Sequence, residues 1–269
     1  MRRDTDSTKF RKLSQIGFRG SRIPIHRSIR SITFPRSRFL VILLLPLLFN
    51  IIFWLTLNPL LAAWQAFFEF WVAKLNLEGS VGVRVHELAG ISLSLPDLQL
   101  AARAADSFMW WAMLASDLLA LALSFTLRGT LLPLSYLIRF LVLIQVTALI
   151  FFAIWPDGFP YDVANYTGGA LTTALVLMVI IPWVHALTYY IFNFSLPQKF
   201  ALTTLTLAFI AIATPFQYAL HAYIICKFSL LVLPGLYFIF GILLDVLVFV
   251  ALYGWAMSWP RSEDDYIAG

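Results

Sequence analysis

A single cysteine, Cys226, stands in 269 residues, which excludes an internal disulfide framework and a thiolate metal cluster. Charge is equally scarce. Asp, Glu, Lys and Arg make up 12% of the chain, against roughly 25% in soluble globular proteins. There is no GxxxxGK[ST] loop, no HExxH and no GxSxG, so nucleotide hydrolysis and soluble-type hydrolase chemistry are not expected. No repeat of fixed period and no inverted pairing of segments is visible.

What fills the chain is hydrocarbon. Hydrophobic residues account for 61% of it and its mean hydropathy is +0.83. That balance belongs to integral membrane proteins. Apolar runs at 39–57, 107–127, 131–155, 169–192, 200–225 and 230–257 are each long enough to cross a hydrocarbon core of about 30 Å. The expected fold is an all-α polytopic membrane protein with about six transmembrane helices.

Two stretches differ from these runs. At 60–77, Trp64, Phe67, Phe68 and Trp71 share one helical side while Gln65, Glu69 and Lys74 lie elsewhere. This predicts a separate helix lying in the membrane interface, with a continuous long helix as the alternative. At 81–100, Val81, Val83 and Val85 alternate with Gly82, Arg84 and His86. Ile91, Leu93 and Leu95 then alternate with Ser92 and Ser94. Period two around Ala89-Gly90 predicts a small β-hairpin outside the membrane.

The charge is lopsided. Residues 1–38 hold 11 of the 19 Lys and Arg against Asp4 and Asp6. Such a tail beside a first span predicts a cytoplasmic segment, largely disordered or partly helical on the membrane surface, that rests on anionic lipid and is not a nucleic-acid-binding face. The organisation expected is therefore a basic tail (1–38), a membrane domain (39–259) and a short cytoplasmic tail (260–269). Both termini then lie in the cytoplasm, and a bacterial inner membrane is the expected location. The partners expected are the bilayer and other membrane proteins; no cofactor and no metal site is expected.

The costly residues are the polar ones inside the spans. Counted from the cytoplasmic ends, Asn50, Asp117, Arg139, His185 and Asp245 fall in one layer about 10–18 Å deep. A charge there costs about 2.5–3.5 kcal/mol on insertion scales, so it pairs, neutralises or faces water. The simplest arrangement pairs Arg139 with Asp117 across the 107–155 hairpin, with Asp245 as a second acceptor. The layer is either a network that fixes helix register or a substrate path. A second group, Asp157, Tyr161 and Asp162, marks a turn-rich outer mouth, alongside a glycosylation-type tripeptide at Asn165-Tyr166-Thr167. His221 and Cys226 lie five residues apart, roughly 140° around a helix, which disfavours a direct thiol–imidazole pair.

From Ile91-Ser92-Leu93-Ser94-Leu95 through Trp155 the layout resembles the exosortase/archaeosortase family of membrane proteins. Those proteins process C-terminally anchored substrates for surface sorting. The shared plan is a first apolar helix, a short outer β-like segment and a helical hairpin with a basic inner turn. The resemblance stops at the chemistry. Ala104-Ala105-Asp106-Ser107-Phe108 opens the next helix with no cysteine, and Arg139 lies toward the inner side, so no catalytic residue carries over. The resemblance implies a degenerate member or a companion of such a system. The function expected is a non-enzymatic accessory or scaffold subunit of a surface protein-sorting or envelope-export system. The alternatives are a small ion-coupled carrier using the polar layer and a membrane cysteine peptidase built on Cys226 with His221 or Arg103.

Overall fold

The computed structural model describes residues 36–88, 90–103, 106–191 and 194–259. Most of the basic tail and the acidic tail 260–269 lie outside the described residues. Among the described residues, six helices are long and apolar enough to cross a membrane. They are α1 (Arg36–Lys74), α2 (Ser107–Ser124), α3 (Leu132–Ile154), α4 (Val163–Ile191), α5 (Leu196–Lys227) and a composite α6 (Leu230–Met257). A two-stranded antiparallel sheet, β1 (Gly79–Leu88) and β2 (Ile91–Leu100), stands between α1 and α2.

The hairpin agrees with the period-two pattern. Leu88 pairs with Ile91 and Gly79 with Leu100, which leaves a two-residue turn whose Gly90 takes φ +82°. Positive φ there is what glycine permits at no steric cost. Leu93, Leu95, Leu98 and Leu100 of β2 are buried together with Phe53, Leu57, Leu61, Trp64 and Phe68 of α1 and Val163, Leu171 and Leu175 of α4.

α1 differs from the sequence expectation. The separate interfacial helix over 60–77 is not observed; the continuous alternative is, as one 39-residue helix that runs through both Pro46 and Pro59. The reason is its buried seam. Leu45, Phe49, Phe53, Leu57, Leu61, Trp64 and Phe68 are all buried and recur every three or four residues, as one side of a helix does. This seam continues across the proline, so packing outweighs the lost backbone donor. Trp64 fixes the far half by donating to the Ala211 carbonyl of α5 at 2.8 Å. At about 1.5 Å per residue the helix is about 58 Å long.

α4 and α5 form an antiparallel pair, and α1 packs against both. Asp162 starts α4 by accepting from the Asn165 N–H at 2.6 Å. Ser195 and Gln198 form a capping box that starts α5. α2 and α3 pair with each other, and α3 meets the remainder at the start of α6. The helical hairpin over 107–155 therefore packs at the side of the remaining helices, and Asp117 and Ser124 are the buried residues of α2. α6 is irregular, with a 3-10 turn at Leu230–Val232, one α turn, a π-helical segment at Leu236–Leu243 and an α-helix from Leu244. Nothing in its apolar pattern forecasts the π segment.

Candidate functional site

Among the described residues, no hydrogen bond or ion pair joins any two of the five residues of the expected polar layer. Asn50, with its amide oriented so that both atoms find partners, donates to the Val179 carbonyl at 3.2 Å and accepts from Trp183 Nε1 at 2.8 Å. It ties α1 to α4. His185 is 1% exposed; its Nδ1 lies 3.3 Å from both Thr203 Oγ1 and Tyr189 Oη, and the ring stacks on Phe249 at 5.5 Å. Tyr189 also donates to the Lys199 carbonyl at 2.8 Å. This group fastens α4, α5 and α6 near one end.

Arg139 does not pair with Asp117, which corrects the simplest expectation. Its Nε donates to Ser124 Oγ at 3.1 Å, and its guanidinium lies 4.2 Å from the centroid of the Phe125 ring. The cause is helix geometry. Side chains tilt toward the N-terminus of their own helix, so Arg139 of α3 reaches to the α2–α3 turn. Asp117 stands seven residues before Ser124, about 10 Å farther along α2. Asp117 is 8% exposed and its Oδ2 has no hydrogen-bond partner. Asp245, half-buried at the start of the last α segment, is not a second acceptor for Arg139. The ion pairs among the described residues are Arg84–Asp97 and Arg103–Asp106.

The outer-mouth residues divide in the same way. Asp162 caps α4, and exposed Tyr161 stands edge-on to Phe159, with ring centroids 5.8 Å apart. Asp157 falls in the 3-10 turn Pro156–Gly158. Asn165 accepts from Arg84 Nη1 at 2.8 Å, and Arg84 pairs with buried Asp97 at 3.2 Å. The hairpin is thereby bolted to the first turn of α4. Thr167 is 0% exposed and donates to the Val163 carbonyl, which makes a poor sugar acceptor of the tripeptide.

Two features escaped the sequence reading. The first is a pair of glutamines. Gln145 Nε2 donates to the Leu231 carbonyl at 2.7 Å, and the Gln217 amide donates to the Phe240 carbonyl within the π segment. A lone glutamine in an apolar helix is the signal that would have found them, because a buried amide needs a partner.

The second is a groove of about 720 Å³ between α1, α5 and α6, lined by Phe67, Trp71, Phe216, Leu220, Phe240 and Leu244 among others. His221 is part of its lining. This ring is 0% exposed; Nδ1 lies 2.9 Å from Tyr166 Oη of α4, and Nε2 has no partner. Cys226 is only half-buried, and the unpartnered Nε2 shows that it forms no thiol–imidazole pair with His221. A second, smaller cavity of about 320 Å³, lined wholly by apolar residues such as Phe53, Ile91 and Val179, lies between α1, β2 and α4.

No family model, curated protein or solved structure matches the chain.

Proposed function

We propose that the protein is a multi-pass membrane component without catalytic activity, acting as an accessory or scaffold subunit. Both termini face the cytoplasm in this reading, and the membrane is a bacterial inner membrane. The basic stretch before α1 supports that orientation. The observation that carries the functional reading is how the polar side chains of the apolar helices are used. Asn50, Trp64, Gln145, His185 and Gln217 each bond to a neighbouring helix, so they cement helix to helix and line no common path. The surface-sorting or envelope-export setting rests on the layout shared with the exosortase plan.

The experiment is complementation of a strain lacking the chain, reading surface display of anchored proteins and the abundance of each variant. For Asp117→Asn, Arg139→Gln, His185→Gln and Asp245→Asn, display is expected to follow abundance. Normal abundance with lost function at Asp117, Arg139 and Asp245 together would instead establish an ion-coupled carrier.

A further inference from the structure

We propose that the groove between α1, α5 and α6 binds one lipid molecule, seating a hydrocarbon chain and hydrogen-bonding an ester carbonyl oxygen through His221 Nε2. The proposal rests on the membrane reading above and goes beyond the scaffold role.

Its volume of about 720 Å³ lies within the range of about 300–1,000 Å³ that holds small ligands. Phe216 and Leu220 line it and are also exposed on the outside of the bundle, at 53% and 51%. The groove thus opens on the side of the bundle, its α1 wall being the last turns of that helix at Phe67, Trp71 and Leu75. No charged residue lines it.

Gln217 and Tyr223 also line this largely apolar wall, and His221 Nε2 is its buried polar atom without a partner. The Tyr166 hydroxyl has His221 Nδ1 as its hydrogen-bond partner, and either atom can donate; the lipid-binding tautomer is the one in which the hydroxyl donates and Nδ1 accepts. The ring proton then sits on Nε2. Tyr166 belongs to α4, which forms no part of the groove; His221 is in the groove's lining with its Nε2 buried just behind that surface, so an acceptor reaches it as lining side chains give way. A buried N–H without an acceptor is costly, and an incoming acceptor recovers that cost. The ligand chemistry follows: an uncharged acceptor oxygen attached to a long apolar chain. A phosphate would carry its charge into a wall with no cation to meet it.

The π segment adds an independent pointer. Phe240 lies inside it, with its ring 6.4 Å from the His221 ring and its carbonyl capped by Gln217. Single π turns within α-helices recur at functional sites.

The test reconstitutes the full chain in phosphatidylcholine vesicles with a small fraction of phosphatidylcholine bearing a photoreactive diazirine on one acyl chain. Labelled residues are then mapped. Labels are expected to concentrate on 67–75, 216–223 and 240–244. A diester competitor is expected to displace the probe about five-fold better than its diether analogue, the worth of one net hydrogen bond. His221→Phe is expected to lower labelling by a similar factor. Leu220→Trp fills the groove from its outer edge, leaves the Tyr166–His221 bond in place, and is expected to lower labelling further.

Labels spread evenly over all six helices would reveal annular lipid only and overturn the proposal. Equal competition by diester and diether lipid would overturn the ester contact. Crosslinking of the groove to another polypeptide in native membranes, in place of lipid, would assign it to a partner helix and overturn the lipid site. Release of the chain from native membranes by alkaline carbonate, without detergent, is a separate outcome that would overturn the membrane reading itself.

Discussion

Gln145 in the middle of α3 donates its amide to the carbonyl of Leu231, 86 residues later, at 2.7 Å. That one bond lies where the α2–α3 unit meets the rest of the protein, because α3 packs on the turns at Leu230–Val232 and Leu233–Gly235. Both residues are buried, so neither partner finds water when the other is removed. Gln145→Leu keeps the volume and deletes the donor. Interhelical hydrogen bonds in membranes average about 0.6 kcal/mol and reach about 1.7. The loss is expected near the upper figure, since the Leu231 carbonyl is left unpaired, and is read by unfolding in mixed micelles of increasing denaturing detergent. An unchanged transition would show that the bond does not hold the unit in place.

Arg139 and Asp117 are expected to behave as strangers. Arg139 is held by Ser124 and Phe125, and Asp117 Oδ2 has no partner. Effects of Arg139→Gln and Asp117→Asn on stability should therefore add within about 0.3–0.5 kcal/mol. Asp117→Asn alone should be mild, because it relieves a buried charge. Ser124→Ala, by contrast, should couple to Arg139→Gln. Recovery of the double variant above either single one would restore the Asp117–Arg139 pair and refute this reading.

These pairs also show how far the chain could be read before its structure. Segment type was legible because it depends on composition and local period. The six apolar runs recur as long helices, and the alternation at Val81–Val85 and Ile91–Leu95 recurs as two paired strands. Depth counted along a helix says nothing about direction. Arg139 and Asp117, expected at one level, do not pair, since each side chain leans along its own helix. Pro59 misled because its cost is local, whereas the buried seam from Leu45 to Phe68 spans the whole helix. The Tyr166–His221 contact joins residues 55 apart in the chain, and no periodicity in either helix announces it.

The hairpin offers a comparison between two glycines. Gly79 has φ +136° and a Cβ there would lie 2.1 Å from the Gln99 carbonyl oxygen; Gly90 has φ +82° with nothing within 4 Å. Gly90→Ala is expected to cost only dihedral strain, about 1–3 kcal/mol. Gly79→Ala adds a clash with backbone of the paired strand, which must move. Hydrogen exchange across 79–100 should accelerate strongly in Gly79→Ala and modestly in Gly90→Ala. Equal effects would mean that the pairing of Gly79 with Leu100 is not rigid.

The start of α2 carries a pH dependence of definite sign. Asp106 accepts from the Met109 N–H at 2.7 Å and pairs with Arg103 at 3.0 Å. The backbone hydrogen bond from Met109, aided by Arg103, holds its carboxyl below the ordinary value of 3.8. A carboxyl more acidic in the folded chain contributes stability above its unfolded pKa and loses it as pH falls through the folded value. Asp106→Asn retains a capping oxygen but cannot titrate, so it separates the cap from the charge. The stability gap between the natural chain and Asp106→Asn is expected to be constant at neutral pH and to close as pH drops below about 4. Asp106→Ala should stay destabilised at every pH, because the cap itself is gone. Parallel pH profiles for the natural chain and Asp106→Asn would show that the carboxylate at this helix start is idle, and that capping alone orders the entry to α2.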